Sequence, residues 1–253
     1  MSHFAIIESG RWPLGRFPGL AAVPQVVHGV TTRSGPEFGQ VGTDEATAAA
    51  CRAAADELGL AGPAWAHQMH GGVVRRVRTP GMVGEADALV TDTPGLLLLG
   101  RSADCPIILA AGSRDDGSPA VGFAHASWRA TVAGITSRML ARLVDELQVN
   151  PATIHAAIAP SAGPCCYEVG DEVVDEAVGA LGRGASAFFM DCGERWHFDL
   201  WAANRRALEQ AGVPTVQIES SGVCTICQGE RFWSWRAQGV KAGRFAGMIG
   251  ILG

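Results

Sequence analysis

Three short segments of the 253-residue chain concentrate side chains that bind metals or act as nucleophiles: residues 67–71 (HQMHG), 102–106 (SADCP) and 124–129 (AHASWR). They supply two imidazoles, His70 and His125, and one thiol, Cys105. Such a set suits Zn²⁺, which accepts nitrogen and sulfur ligands and in catalytic sites leaves a fourth position for water or substrate. The same side chains also suit a cysteine nucleophile with a histidine base. The residue types alone leave both chemistries open.

Each of these segments follows or ends a predicted strand or turn. Short apolar runs bounded by turn residues predict strands at residues 73–77, 88–91, 96–99, 107–110, 120–125, 154–159, 196–198, 215–219, 232–235 and 245–251. Strand ends present side chains on a common rim of a sheet. Positions as far apart as His70 and Cys105 (35 residues) or Cys105 and His125 (20 residues) are therefore able to converge.

Apolar residues at spacings of three and four predict four helices. One covers residues 44–58, a second is lined by Val132, Ile135, Met139, Leu143 and Leu147, and a third by Val173, Val174, Ala177, Val178 and Leu181. The fourth begins after Asp199 as N-cap and ends at Gly212. Helices mixed irregularly with strands indicate the α/β (α+β) class. We expect a single layered domain over residues 1–253, with mixed β-sheets flanked by helices.

The runs at 88–91 and 96–99 are separated by a Pro-Gly turn signal, which predicts a hairpin. The uninterrupted leucines of the second run indicate a strand that is buried on both faces. Such a strand would deliver residues 101–106, and with them Cys105, to one end of the sheet.

The composition indicates a globular protein whose ligand is small. Hydrophobic residues make up 47% of the chain, and the formal net charge of −5 comes without a basic run, so we expect no nucleic-acid partner. No apolar stretch approaches the roughly 20 residues that a membrane helix needs, and no export signal is visible, so we expect a cytoplasmic location and no membrane partner. The seven cysteines are then expected to be thiols or metal ligands.

A longer series of motifs runs through almost the whole chain: residues 28–33 (HGVTTR), 68–71 (QMHG), 86–91 (ADALVT), 103–105 (ADC), 125–129 (HASWR), 163–169 (GPCCYEV), 199–204 (DLWAAN) and 232–236 (FWSWR). In this order the motifs resemble those of the YfiH-like family, whose members are known as multicopper polyphenol oxidase or laccase-domain proteins and as purine nucleoside phosphorylases. The resemblance implies an α/β sandwich-like fold and a zinc ion held by His70, Cys105 and His125.

The implied activity is phosphorolysis of adenosine, inosine, guanosine and S-methyl-5′-thioadenosine, with adenosine deamination as a companion activity. The expected partners are therefore purine nucleosides and phosphate, and the sequence does not indicate an oligomeric state. The candidate catalytic residues are Cys105, His125 and Asp104, the last as the nearest carboxylate in sequence that can supply a proton. The candidate substrate-binding residues are Arg33, Gln68, Arg129, Tyr167 and Arg236. Guanidinium groups bind phosphate bidentately, and tyrosine stacks on or hydrogen-bonds to a base.

Departures from the family pattern leave the substrate range open. The family usually has Gly-Trp-Arg-Gly after the second histidine, where this chain has Ser127 and Ala130 as the outer residues. The loop after Arg33, residues 34–41, lacks the Ser-Leu-Asn element usual in the family.

Three alternatives remain. A copper-dependent polyphenol oxidase, with Cu²⁺ in place of zinc, needs a His₂Cys site plus a separate histidine-rich cluster, which seven scattered histidines do not easily provide. A metal-free hydrolase with Cys105 as nucleophile and His125 as base would act on peptidoglycan precursors. A third alternative is a zinc- or nucleoside-binding module without catalysis.

The pair Cys224 and Cys227 has the spacing of half a zinc ribbon. A second pair at ribbon spacing is missing, because Cys165 and Cys166 are adjacent to each other and the nearer of them lies 58 residues upstream of Cys224. We therefore expect a packing role for this pair.

Overall fold

The computed structural model describes residues 4–8, 10–39 and 44–253. The Gly/Pro-rich residues 32–42 predict a long loop, and residues 40–42 at its end lie outside the described residues. In the described residues 32–39, this loop contains neither helix nor strand.

The described residues form sixteen strands: β1 (Ala5–Ile7), β2 (Leu14–Arg16), β3 (Val26–Thr31), β4 (Gly62–His67), β5 (Val74–Arg76), β6 (Gly81–Glu85), β7 (Ala88–Thr91), β8 (Leu96–Ser102), β9 (Ile107–Ser113), β10 (Pro119–His125), β11 (His155–Ile158), β12 (Glu168–Val169), β13 (Phe189–Asp191), β14 (Trp196–Phe198), β15 (Ile218–Ser220) and β16 (Phe245–Ile251). They build a seven-stranded sheet in the order β1-β2-β3-β16-β8-β4-β6, a six-stranded sheet in the order β15-β11-β9-β10-β7-β5, and a small sheet in the order β12-β14-β13. Both large sheets mix parallel and antiparallel pairs.

The helices in this part of the chain are α1 (Pro18–Ala21), α2 (Glu45–Glu57), α3 (Trp128–Val132), α4 (Ile135–Ala141), α5 (Asp171–Leu181), α6 (Leu200–Gln210) and α7 (Trp235–Gln238). A π-helical turn, Arg142–Glu146, continues α4, and 3₁₀ turns cover Pro151–Thr153, Arg183–Phe188, Thr215–Gln217 and Gly239–Lys241. None of the helices in the described residues combines the length and apolar character needed to cross a membrane.

The main core lies between the two large sheets. Its buried side chains come from both, for example Leu98 and Phe245 from one sheet and Leu109 and Phe123 from the other. The sheets approach so closely that a side chain on Gly100 would place its Cβ 2.6 Å from the ring of Phe123, which explains a glycine in the middle of β8. On the outer faces, α2 covers the seven-stranded sheet, and α4 and α6 cover the six-stranded sheet.

This architecture confirms the expected mixed α/β class. The leucine run shows how the sequence pattern follows from it: Leu96 and Leu98 face the core between the sheets, whereas Leu97 and Leu99 face α2. Because successive side chains of a strand point to opposite faces, a strand between two packed layers must be apolar at every position.

The predicted hairpin of β7 and β8 is wrong. The two strands are consecutive, but β7 pairs with β10 and β5 in the six-stranded sheet, whereas β8 pairs with β16 and β4 in the other. The turn signal between them is real, yet the chain uses it to cross from one layer of the sandwich to the next. Each of the two strands is paired on both edges, and in neither case is the partner its neighbour in sequence.

Three further predictions need correction. Residues 232–235 form no strand; Ser234 instead caps α7, its hydroxyl accepting a hydrogen bond from the Ala237 amide. The predicted strand at 215–219 begins as the 3₁₀ turn Thr215–Gln217 and extends only from Ile218. The helix expected through Leu147 is divided after Val132, where Gly134 adopts a left-handed φ of +76°.

Candidate functional site

Strand ends bring the side chains of His70, Cys105 and His125 to one edge of the sandwich. His70 follows β4, Cys105 lies in the turn between β8 and β9, and His125 is the last residue of β10. β4 and β8 run parallel, so their ends share an edge, and His125 pairs with Ile107 at the start of β9. One ligand atom from each residue lies within 4.8 Å of the other two. The imidazole rings meet edge to face, with centroids 5.0 Å apart.

Asp87 holds this arrangement in place. Its fully buried carboxylate accepts hydrogen bonds from the backbone amides of His70 (2.9 Å) and Gly71 (2.7 Å), and its Oδ1 lies 3.0 Å from Nδ1 of His125. One carboxylate therefore fixes both the loop that carries His70 and the orientation of the His125 ring. Histidine ligands of metals are commonly oriented in this way by a carboxylate on the second ring nitrogen.

The electrostatics of the three groups favour a thiolate. Burial raises the pKa of the Cys105 thiol, but the charge of His125 and hydrogen bonds with both imidazoles outweigh it and lower this pKa to about 7. Burial lowers the pKa of His125, whereas the thiolate and the hydrogen bond with Asp87 raise it to about 9. A thiolate is the form of cysteine that binds metals and acts as nucleophile.

Two residues of the site have left-handed backbone conformations that disfavour any residue except glycine. His70 has a φ of +60° and Asp104 a φ of +94°. Only two other non-glycine residues in the described part of the chain share this feature, Gln25 and Gln148. Such conformations persist where surrounding contacts enforce them, and they cluster at functional sites.

The three groups open into a cavity of about 470 Å³. Cavities of this size accommodate small molecules. It is lined by Gln68, His70, Arg101, Ser102, Ala103, Asp104, Cys105, His125, Tyr167, Leu200, Trp235, Arg236 and Arg244. Of the nine site residues predicted from sequence, the structure brings seven to this cavity, namely all except Arg33 and Arg129.

Asp104 is buried, and both of its carboxylate oxygens are engaged. Oδ1 accepts a hydrogen bond from the Thr225 hydroxyl (2.7 Å), and Oδ2 accepts one from the Arg236 backbone amide (2.6 Å). The residue next to Cys105 thus connects this turn to the loop that carries Thr225 and to α7.

Arg236 and Tyr167 form one wall. The guanidinium carbon of Arg236 lies 5.2 Å from the centroid of the Tyr167 ring, and its Nη1 donates to the backbone oxygen of Glu168 (2.9 Å). Burial raises the pKa of the Tyr167 hydroxyl, as does the nearby Cys105, so this hydroxyl stays protonated. Gln68 also lies on the wall, but its amide makes two hydrogen bonds with the backbone of Arg101, at 2.8 and 2.9 Å.

Arg129 and Arg33 lie elsewhere. Arg129 is exposed and lines a second cavity of about 410 Å³, which shares Tyr167 and Arg236 with the first. Arg33 stacks on Trp233 at 4.0 Å and donates to the backbone oxygen of Gly229, outside the lining of either cavity.

Sequence reasoning missed three groups of the cavity: Arg101, Arg244 and Trp235. Arg101 is buried near the end of the leucine-rich β8. A charged residue at the end of an otherwise apolar strand could have indicated from the sequence that Arg101 belongs to a site. Arg244 precedes β16 and lies 5.3 Å from the Trp235 ring. No spacing rule points to Arg244, because 139 positions separate it from Cys105.

The departure at Ser127 has a local explanation. Ser127 is the N-cap of α3, and its hydroxyl accepts a hydrogen bond from the Ala130 amide at 3.2 Å. A serine at this position stabilises the start of a helix better than a glycine does, because glycine has no side chain to accept this hydrogen bond.

Comparisons of the chain with a family model, with named relatives and with solved structures all point to one family. Residues 37–252 match the family model described as multi-copper polyphenol oxidoreductase laccase. The chain is 34% identical over 267 aligned positions to a protein of Xylella fastidiosa (strain Temecula1) named purine nucleoside phosphorylase, covering 94% of this chain and 99% of that protein. It is 38% identical over 163 positions to a protein of an unknown prokaryotic organism named adenosine deaminase RL5, covering 62% and 59%. The crystal structure of the Bacillus licheniformis hypothetical protein YfiH superposes with a TM-score of 0.85 at 28% identity and covers 98% of both chains.

Proposed function

Because the chain belongs to the multi-copper polyphenol oxidoreductase laccase family, the YfiH-like family expected from its motifs, we propose that it is a zinc-dependent purine nucleoside phosphorylase. The observation that carries the proposal is the shared cavity: two imidazoles and a thiolate at its floor, with Arg236, Arg244 and Arg101 around it. The name of the Xylella fastidiosa relative supports the same activity.

His70, Cys105 and His125 would hold the zinc ion. Their ligand atoms lie within 4.8 Å of one another, and two imidazole nitrogens and a sulfur are ligand types that zinc accepts. When bound, the ion supplies Lewis acidity at the cavity floor. Zinc fits better than a coupled copper centre, because the two groups of potential ligands in the described residues contain only two histidines between them.

The arginines provide for phosphate. In phosphorolysis a phosphate oxygen forms a bond to C1′ of the ribose, the bond from C1′ to the purine breaks, and the departing purine takes up a proton on its ring. Arg236 and Arg244 line the cavity beside Asp104 and Cys105 and would bind the phosphate and keep it at C1′. Arg129, in the adjoining cavity, would attract the anion on its approach.

The aromatic side chains provide for the purine. Tyr167 and Trp235 both line the cavity, and their faces offer a stacking surface for a base. Asp104, Cys105 and His125 are the proposed catalytic residues: Cys105 and His125 would act through the ion that they hold, and Asp104 would move the proton that the leaving purine requires. Gln68 would act on the substrate through the Arg101 backbone that it fixes.

Adenosine deamination is the second candidate, because a relative bears that name. The reaction replaces the 6-amino group with oxygen from water and releases ammonia, which again needs a proton donor. The same cavity and the same groups would serve it, so substrate and co-reactant decide between the two activities.

The test is a phosphate-dependent cleavage assay on the zinc-loaded protein with inosine, guanosine, adenosine and S-methyl-5′-thioadenosine. We expect free base and ribose 1-phosphate (or its methylthio analogue) in equal amounts, and no cleavage without phosphate. Ammonia release from adenosine without phosphate would indicate the deaminase activity. Absence of both products from all four nucleosides would refute the proposal.

A further inference from the structure

A second group of potential metal ligands lies outside the cavity and consists of four cysteines: Cys165, Cys166, Cys224 and Cys227. Their sulfur atoms all lie within 4.8 Å of one another. The sequence argument against a four-cysteine site is therefore wrong in its premise, since the fold brings the adjacent pair to the C-x-x-C pair. From this geometry we propose that the four thiolates bind a second zinc ion, whose role is to hold two loops together.

The sulfur spacing fits tetrahedral coordination. Zinc–sulfur bonds of about 2.3 Å place the four sulfurs of a tetrahedral site about 3.8 Å apart. The sulfur of Cys227 lies 3.4 Å from that of Cys166 and 3.7 Å from that of Cys165. A disulfide needs about 2.05 Å and would join only two of the four atoms. Convergence of all four sulfurs on one centre is what a metal requires.

The backbone around the sulfurs is arranged for thiolates. Gly163 directs its amide at the sulfur of Cys224 at 3.3 Å, and the amides of Ile226 and Cys227 point to the same atom. Amide hydrogen bonds of this kind orient metal-bound sulfurs and spread their charge. Cys224 is buried, whereas Cys165 and Cys227 are exposed, so an ion has a path to the site from solvent.

The two loops that carry the cysteines leave neighbouring parallel strands, β11 and β15. A single parallel bridge joins Ser161 to Cys224, with hydrogen bonds of 3.0 and 3.1 Å on either side. In the described residues, Cys165, Cys166 and Cys227 lie beyond the paired residues of these strands, so strand pairing does not set the distance between their sulfur atoms. Four bonds to one ion would fix it, and a closed site of four thiolates has a structural role because it leaves no position for substrate.

The loops also support the cavity. Cys166 precedes Tyr167, and Cys224 precedes Thr225, whose hydroxyl donates to Asp104. The second ion would therefore set the position of one cavity wall and of the carboxylate beside Cys105. This inference stands apart from the nucleoside chemistry, since it rests on contacts outside the candidate active site.

The test is zinc content per chain of protein purified under reducing conditions. We expect two zinc ions in the native protein, one in a Cys165→Ser/Cys227→Ser variant, one in Cys105→Ser, and two in the control Cys192→Ser, which replaces an exposed cysteine outside both groups. Because the double variant is at risk of misfolding, the second measurement uses Cys105→Ser loaded with Co²⁺, where we expect the sulfur-to-cobalt charge-transfer bands of a four-thiolate site.

A native content of one zinc that Cys105→Ser abolishes would overturn the proposal, as would absence of the cobalt bands in Cys105→Ser. Disulfides among the four cysteines in the purified native protein would also overturn it. A lack of nucleoside cleavage would leave these results unchanged, so failure of the two proposals can be told apart.

Discussion

The two sulfur-containing clusters of this protein differ in the number and kind of their ligands. The group at the cavity offers three ligands, two of them imidazoles, and lies at the ends of strands in the two large sheets. The other offers four thiols on two loops. Three ligands leave a metal open to substrate, whereas four close its coordination. The difference in ligands is why we propose catalysis at the group held by the sheets and a structural role for the group on the loops.

The largest contrast is expected between serine substitutions of one cysteine in each group. Cys105→Ser removes both a ligand and the thiolate, and we expect activity to fall by at least about 1,000-fold with little change in melting temperature. Cys227→Ser replaces no residue of the cavity and reaches it only through the loops that carry Tyr167 and Thr225, so we expect kcat to change only a few-fold. Its main effect is on stability, with Tm falling by about 5 °C for a loss of roughly 2 kcal/mol. Activity assays and calorimetry measure these effects in both variants. Equal activity losses in Cys105→Ser and Cys227→Ser would contradict the assignment of different roles to the two groups.

Asp104→Asn tests the connection between the two regions. The substitution keeps the size of the side chain but removes the proposed proton source, so we expect kcat to fall by about 100-fold. The matched variant Thr225→Val keeps the carboxylate and removes one of its hydrogen bonds, and a decrease of only a few-fold is expected. Steady-state kinetics of both proteins decide the matter. Similar losses in the two variants would show that Asp104 acts only as an anchor.

Asp87→Asn tests how the cavity group is held. The amide cannot accept hydrogen bonds from the loop and orient His125 as the carboxylate does, so we expect zinc affinity at this site to fall by about 10- to 100-fold. Zinc competition with a chelator measures it. The control Asp92→Asn alters a carboxylate that pairs with Arg76 and Arg114 away from the cavity, and it should bind zinc as the native protein does. An unchanged zinc affinity in Asp87→Asn would show that Asp87 does not position the ligands.

The smallest effects are expected among the arginines. Arg236→Gln removes a cavity cation, and we expect the KM for phosphate to rise by about 10-fold, which corresponds to about 1.4 kcal/mol. Arg33→Gln should leave this KM unchanged, because Arg33 stacks on Trp233 outside the cavity. Phosphate titrations at saturating nucleoside measure both values. A larger effect from Arg33 than from Arg236 would place the phosphate elsewhere.

The sequence indicated most of the strands that position the site. The runs in β8, β9, β10 and β16 are apolar because each is buried between packed layers, and local composition records that burial. The convergence of His70, Cys105 and His125 also followed from local signals, since each lies at or just beyond a strand end.

Pairing between distant segments could not be predicted from the sequence. A turn signal says that the chain reverses but does not say which sheet receives the next strand, and so β7 and β8 were wrongly paired. Tertiary contacts alone bring the four cysteines together, although Cys165 and Cys227 are 62 positions apart in the sequence. The same holds for Arg244 at the cavity. Short strands such as β1 and β12 carry too few residues for a periodic pattern.

The most direct test of the account is removal and return of the metal. The native protein is stripped with a chelator, its fold is checked by circular dichroism, and zinc is added back while ribose 1-phosphate formation is followed. The account predicts that turnover is lost in the stripped protein and returns in proportion to zinc bound by His70, Cys105 and His125, while Cys105→Ser does not recover. Full turnover in folded, stripped protein would contradict it.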